Sequence, residues 1–171
     1  MNETDCVFCK LLSGELEVSV IHEDDLCVAF MDVQPINPGH ALVVSRRHAS
    51  CLGELNEEEG AQLFRFAQRV AAALRKCGVR CEGVNLFLAD GVAAGQEVFH
   101  VHLHVFPRYS GDGFSLNLPA DYQARPAREE LNEPHCHPGE QECHKGKRSG
   151  LIGEVLSKQE QIRTKRVHAQ E

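Results

Sequence analysis

The chain has 171 residues, 42% of them hydrophobic and 25% charged, a balance that suits one domain with a core and room for an extension, and argues against global disorder. A formal net charge of −7 argues against a broad nucleic-acid surface, so no nucleic-acid partner is expected. No apolar run approaches the roughly 18–20 residues that span a bilayer. The polar, acidic start from Met1 to Asp5 is unlike a secretory signal, so the expectation is a cytoplasmic chain with no membrane partner.

Cys6 to Leu12 reads as a short helical turn, broken by Ser13-Gly14. Ser19–His22 and Leu26–Met31 read as two short strands around the polar turn Glu23-Asp24-Asp25. Pro35, Pro38 and Gly39 mark a loop, and Ala41–Val44 is a third strand. The clearest helix follows. Asn56 is a good N-cap, and Glu57, Glu58 and Glu59 put negative charge in the first turn, where the helix dipole favours it. Leu63, Phe66, Val70, Ala73, Leu74 and Cys77 recur at helical spacing, and Gly78 is the expected C-cap. Val84–Leu88 and Val98–Phe106 are two further strands, joined by the glycine-bearing loop Asp90–Gln96. Phe64, Phe66 and Phe87 are expected in the core, and His22 and His168 on the surface. In a cytosolic chain thiols stay reduced, so Cys27, Cys51, Cys77 and Cys81 read as small buried residues.

Beyond about Leu131 the composition changes. From Glu133 the tail holds seven Lys or Arg against six Asp or Glu, with Pro134, Pro138 and several glycines. Residues 1–131 are read as the domain and 132–171 as a flexible tail, whose His135, Cys136, His137, Cys143 and His144 lack an evident scaffold for metal.

The segment Phe99 to Phe106 alternates strictly, with histidine at 100, 102 and 104. On a strand successive side chains point to opposite faces, so Val101, Leu103 and Val105 would face the core and the three histidines would line the other face, about 7 Å apart. A solvated face needs no histidine, since lysine or threonine serves there as well, so the pattern points to chemistry. Two kinds remain open on the residues alone. Neutral imidazole is a common zinc ligand. It is also a nucleophile able to form a covalent phosphoryl or nucleotidyl intermediate. The loop just upstream favours phosphate chemistry: Gly91 and Gly95 let the backbone approach a ligand, and Gln96 adds an amide.

With these motifs in order, the sequence resembles the histidine triad family, in the bacterial-type branch with an N-terminal Cys-x-x-Cys. The resemblance rests on Asp5–Lys10, Ala29–Val33, Pro35–His40, Arg46–His48, Asn85, Ala94–Glu97 and His100–Arg108, and spans about residues 5–126. It implies an α+β fold, with an antiparallel sheet of about five strands, one long helix and a short N-terminal helix, and a homodimer. It also implies a nucleotide hydrolase or transferase that cleaves at the α-phosphate of adenosine or related 5′-phosphate derivatives through a nucleotidyl-histidine. The implied nucleophile is His102, with His104 contacting phosphate oxygens beside it. Asp32 is implied at the ribose, Val33 and Phe8 near the base, Asn85, Gly95 and Gln96 around phosphate and ribose, and His40 near the triad. Glu97 departs from the hydroxyl residue of many eukaryotic members and bears on substrate preference. Alternatives are a dinucleoside polyphosphate hydrolase, a zinc-stabilised nucleotide-binding protein with little catalysis, and a metal carrier using all three histidines.

Cys6-Val7-Phe8-Cys9 has the spacing of a metal hairpin, and also of a redox pair. A thioredoxin-like site needs a preceding strand, and only five residues come before Cys6. Zinc needs two more ligands. The resemblance supplies them as His48 and His100, giving a structural Zn2+ site that takes His100 out of the catalytic set.

Overall fold

The computed structural model describes residues 3–120 and 122. The helices and strands of the described residues lie in the first of two compact units, Met1–Ser115. In chain order they are helix α1 (Val7–Leu12), strands β1 (Val20–Glu23), β2 (Cys27–Met31) and β3 (Ala41–Ser45), helix α2 (Glu57–Leu74), and strands β4 (Gly83–Phe87) and β5 (His102–Arg108). The five strands form one antiparallel sheet in the order β1-β2-β3-β5-β4, so the fold is α+β as expected. The boundary after Leu131, the tail and His168 lie outside the described residues.

Both faces of the central strands are covered, which is why β2 and β3 read as apolar runs rather than alternating ones. On one face Leu63, Phe66, Ala67, Val70 and Leu74 of α2 pack on Ala29, Val43, Leu103 and Val105. On the other, Cys6 and Phe8 pack on Val28, Phe30, Leu42 and Val44. The apolar positions of α2 recur every three or four residues, so the helix buries one stripe. Phe64 lies off that stripe and is exposed, as is Phe87 on the edge strand β4; only Phe66 of the three phenylalanines expected in the core is buried. Among the four cysteines expected to be buried, Cys27 is, Cys51 and Cys81 are half-buried, and Cys77 is exposed because α2 ends at Leu74, one turn before it. Exposed His22 stacks on the Phe66 ring with centroids 5.0 Å apart.

The start of α2 is fixed by a capping box. The Asn56 side chain accepts from the Glu59 N–H, and the Glu59 carboxylate accepts from the Asn56 N–H, each at 2.9 Å. Glu59 also takes both prongs of Arg47, at 2.7 Å each. The Arg47 hydrogen bond first, and the Asn56 N–H next, pull the Glu59 carboxyl down from 4.5 to about 2. Above pH 4.5 the carboxyl is ionised in folded and unfolded chains alike, and the stabilisation is fully present. As pH falls from 4.5 towards about 2 the unfolded chain takes up a proton that the folded one refuses, and stability is lost. Urea unfolding across this window should therefore show a shallower acid loss for Glu59→Gln than for the parent chain. Equal slopes would mean that another carboxylate controls the acid limb.

Strand β5 begins at His102, not at Val98. The Val101 N–H donates to Ala49 O at 2.8 Å and the His100 N–H to Val98 O at 2.9 Å, so residues before 102 turn away from the ladder. The alternation expected of residues 99–106 therefore holds on a strand only from His102 onward.

Candidate active site and metal centre

Register places His104 opposite Leu42 and His102 opposite Val44. The two histidines thus share the sheet face covered by α1, a second packed layer rather than the outer face of a strand. His102 is buried at 6% exposure, with the Phe8 ring 5.0 Å from its own, and His104 is half-buried. Both line a cleft of about 1080 Å3 together with Phe8, Asp32, Val33, His40, Gly95 and Glu97.

His102 Nδ1 lies 2.7 Å from the carbonyl oxygen of His100. A carbonyl only accepts, so Nδ1 carries the proton and Nε2 keeps the lone pair. Burial pushes the His102 imidazole below its ordinary value, against the opposing effect of that carbonyl, and so favours the neutral ring. A second chain of contacts orders His104. The Ile36 N–H donates to His40 Nδ1 at 3.1 Å, which leaves the His40 proton on Nε2, 3.0 Å from His104 Nδ1. His104 Nδ1 then accepts, and its Nε2 is the protonated nitrogen. Burial, reinforced by the neighbouring His102 and His40, holds the His104 imidazole down at about 4. Burial also lowers His40, although Asp32 Oδ2 sits 3.3 Å from its Nδ1 and pulls the other way. Asp32 Oδ1 is held by the Gln34 N–H at 2.8 Å.

Beneath the cleft a second cluster forms where α1, the segment after β3 and the approach to β5 meet. Cys6, Cys9, His48 and His100 bring one donor atom each to within 4.8 Å of one another. His100 Nδ1 is 3.4 Å from Cys6 Sγ and 3.5 Å from Cys9 Sγ, and His48 Nδ1 is 3.3 Å from Cys9 Sγ. Zinc bound tetrahedrally at about 2.3 Å from sulfur and about 2.0 Å from nitrogen sets neighbouring donors about 3.5 Å apart. The donor set fits that ion in both chemistry and spacing. His100 Nε2 donates to Ser45 O at 2.7 Å, which fixes the tautomer that turns a bare Nδ1 toward the two sulfurs. Among the described residues Asp32, His40 and His104 form a further such group, but there both ring nitrogens of His40 are already engaged.

A family model for the HIT domain matches residues 13–111, which contain most of this architecture. The chain belongs to the HIT family. An uncharacterized HIT-like protein of Borreliella burgdorferi is 38% identical over 113 residues, which cover 66% of this chain and 81% of that one. The protein named adenylylsulfatase HINT3 of Arabidopsis thaliana is 34% identical, over 64% of this chain and 55% of its own length. Among solved structures, a zinc-bound histidine triad family protein from Mycobacterium smegmatis is 38% identical, with a TM-score of 0.64 over 70% of this chain and 86% of that one.

Within this HIT domain the expected residues fall into three groups. Phe8, Asp32, Val33, His40, Gly95, Glu97, His102 and His104 meet at the cleft, and Cys6, Cys9, His48 and His100 meet at the second cluster, which could hold a metal ion. Gln96 and Asn85 do neither. The Gln96 amide is spent on backbone groups: Oε1 accepts from the Gly91 N–H, and Nε2 donates to Ser50 O and Val98 O. Asn85 sits in β4 opposite Phe106, away from the lining. The sequence reading missed Leu11 and Val18 in the cleft wall, although Leu11 lies three residues from Phe8 on α1, a spacing that puts both on one face. It also missed Ser45, which acts through its backbone carbonyl and so leaves no signal in residue type.

Proposed function

We propose that the chain is a nucleotidyl hydrolase or transferase that cleaves adenosine or related 5′-phosphate derivatives at the α-phosphorus. In this mechanism His102 Nε2 attacks phosphorus in line and forms a P–N bond while the bond to the leaving group breaks. The leaving group departs with the bonding electrons and takes up a proton. The His104 Nε2–H donates to a phosphoryl oxygen, and Asp32 and Phe8 hold ribose and base. Water or another acceptor then attacks phosphorus, the P–N bond breaks, and the nucleoside monophosphate leaves with His102 neutral again. The observation that carries this reading is the 2.7 Å hydrogen bond from His102 Nδ1 to the His100 carbonyl, which leaves an unprotonated Nε2 on a residue of the cleft wall. A relative named adenylylsulfatase supports an adenylyl compound as substrate class. Gln96 enters as a positioning residue that holds the loop Gly91–Gln96.

Zinc on Cys6, Cys9, His48 and His100 is assigned a structural role, because four protein donors complete a tetrahedral shell and leave no position for substrate. When bound it supplies a cross-link between α1 and the residues that lead into β5. The same reading includes a homodimer: β4 is the last strand of the sheet among the described residues and exposes Leu86 and Phe87, a surface suited to a second copy. Sedimentation of the full chain as a monomer at micromolar concentration would remove the dimer from the proposal.

The deciding experiment is a rapid quench with adenosine 5′-phosphoramidate followed by peptide mapping. An adenylyl group on His102 is the expected result. Turnover with no modified histidine, or a modified residue elsewhere, would overturn the assignment.

A further inference from the structure

The cleft that His102 lines contains three carboxylates, Glu17, Asp32 and Glu97, and among its described lining residues no lysine or arginine. Asp32 is already committed to the Gln34 N–H and lies against His40. Glu17 and Glu97 are exposed, and among the described residues neither is ion-paired with a cation. The backbone that carries Glu97 is pinned on both sides, because the preceding Gln96 amide is bonded to Gly91, Ser50 and the following Val98. Among the described lining residues a phosphate entering here meets imidazole rings but no lysine or arginine. That suffices for one negative charge at the α-phosphorus. It leaves nothing to balance further charge on the leaving group, which would add to the repulsion from two carboxylates.

We infer that Glu97, with Glu17, is a charge filter on the leaving group: the cleft favours nucleoside 5′-phosphoramidates whose amine carries a second, protonated amino group, and disfavours those whose leaving group is an anion such as sulfate or a nucleoside polyphosphate. The inference rests on the nucleotidyl-transfer reading above and names its specificity determinant. Two unit charges about 4 Å apart in water change an equilibrium by about fivefold, and salt weakens this.

The test compares kcat/KM of the full chain for an adenosine phosphoramidate of a simple alkylamine, the same compound made from a diamine, and adenylylsulfate. At low salt the parent chain should prefer the diamine compound to the alkylamine by about fivefold, and adenylylsulfate should be the poorest. Glu97→Gln should reduce the preference for the diamine compound to less than about twofold, and Glu17→Gln added to it should abolish the preference. High salt should erase it in the parent chain, which a merely structural role for Glu97 would not predict. Glu58→Gln, an exposed change of equal charge at the start of α2, should retain the preference. A parent chain indifferent to the amine's charge, or a Glu97→Gln chain that keeps the preference, overturns the filter while leaving the nucleotidyl reading intact. No turnover of any of the three compounds overturns both.

Discussion

His102→Asn should lower kcat/KM for an adenosine 5′-phosphoramidate by about 10⁴-fold or more, the scale seen when a covalent nucleophile is removed. Asparagine keeps a donor near the His100 carbonyl that now receives the His102 N–H at 2.7 Å, so it tests the lone pair on Nε2 rather than the local packing. Nucleotide affinity should change far less, because the remaining cleft wall is untouched. Steady-state kinetics and calorimetric titration with adenosine monophosphate separate the two quantities. A variant that keeps turnover within about tenfold of the parent would end the case for covalent catalysis at this position.

Loss of zinc from the proposed Cys6, Cys9, His48 and His100 site should be the largest effect on stability. Cys9→Ser, or chelation of the parent chain, should take zinc content from one ion per chain to near zero and lower the melting temperature by about 10–20 °C, as expected for roughly 3 kcal/mol in a domain of this size. The cluster joins α1 to segments 39 and 91 residues away, so its removal unties the layer that contains Phe8 as well as one loop. Metal analysis and calorimetry with and without chelator check this. A metal-free protein with an unchanged transition would show that Cys6 and Cys9 are an ordinary thiol pair.

Much of the fold was legible because its determinants are local. Asn56 and Glu59 define the start of α2 by themselves, and Val101, Leu103 and Val105 point to the core as the alternation requires. What was not legible depends on distant partners. His100 falls outside β5 because Val101 bonds to Ala49, some fifty residues away, and nothing in Phe99–Val101 announces that. The alternation sets the histidines on the face opposite Val101, Leu103 and Val105 without showing that α1 covers it, and a helix of six residues gives little notice of where it will dock. Phe64 could have been placed correctly. It follows Leu63 by one residue and precedes Phe66 by two, so it cannot share their stripe. At the candidate site, residue types suggested which side chains take part, while the hydrogen bonds that set the tautomers of His100, His102 and His104 come from carbonyls and a neighbouring ring, and required coordinates.

His100 turns Nδ1 toward the sulfurs, gives Nε2 to Ser45, and through its carbonyl fixes the proton of His102. One residue therefore joins the proposed metal site to the proposed nucleophile. Redesign of either faces a shared part: lengthening the stretch between positions 100 and 102 by a single residue, to alter the cleft, would also draw the His100 ring away from Cys6 and Cys9. Substitutions that preserve the spacing are the ones open to an engineer, and side chains such as Glu97, which hang from the scaffold without supporting it, are where new selectivity can be written without disturbing either.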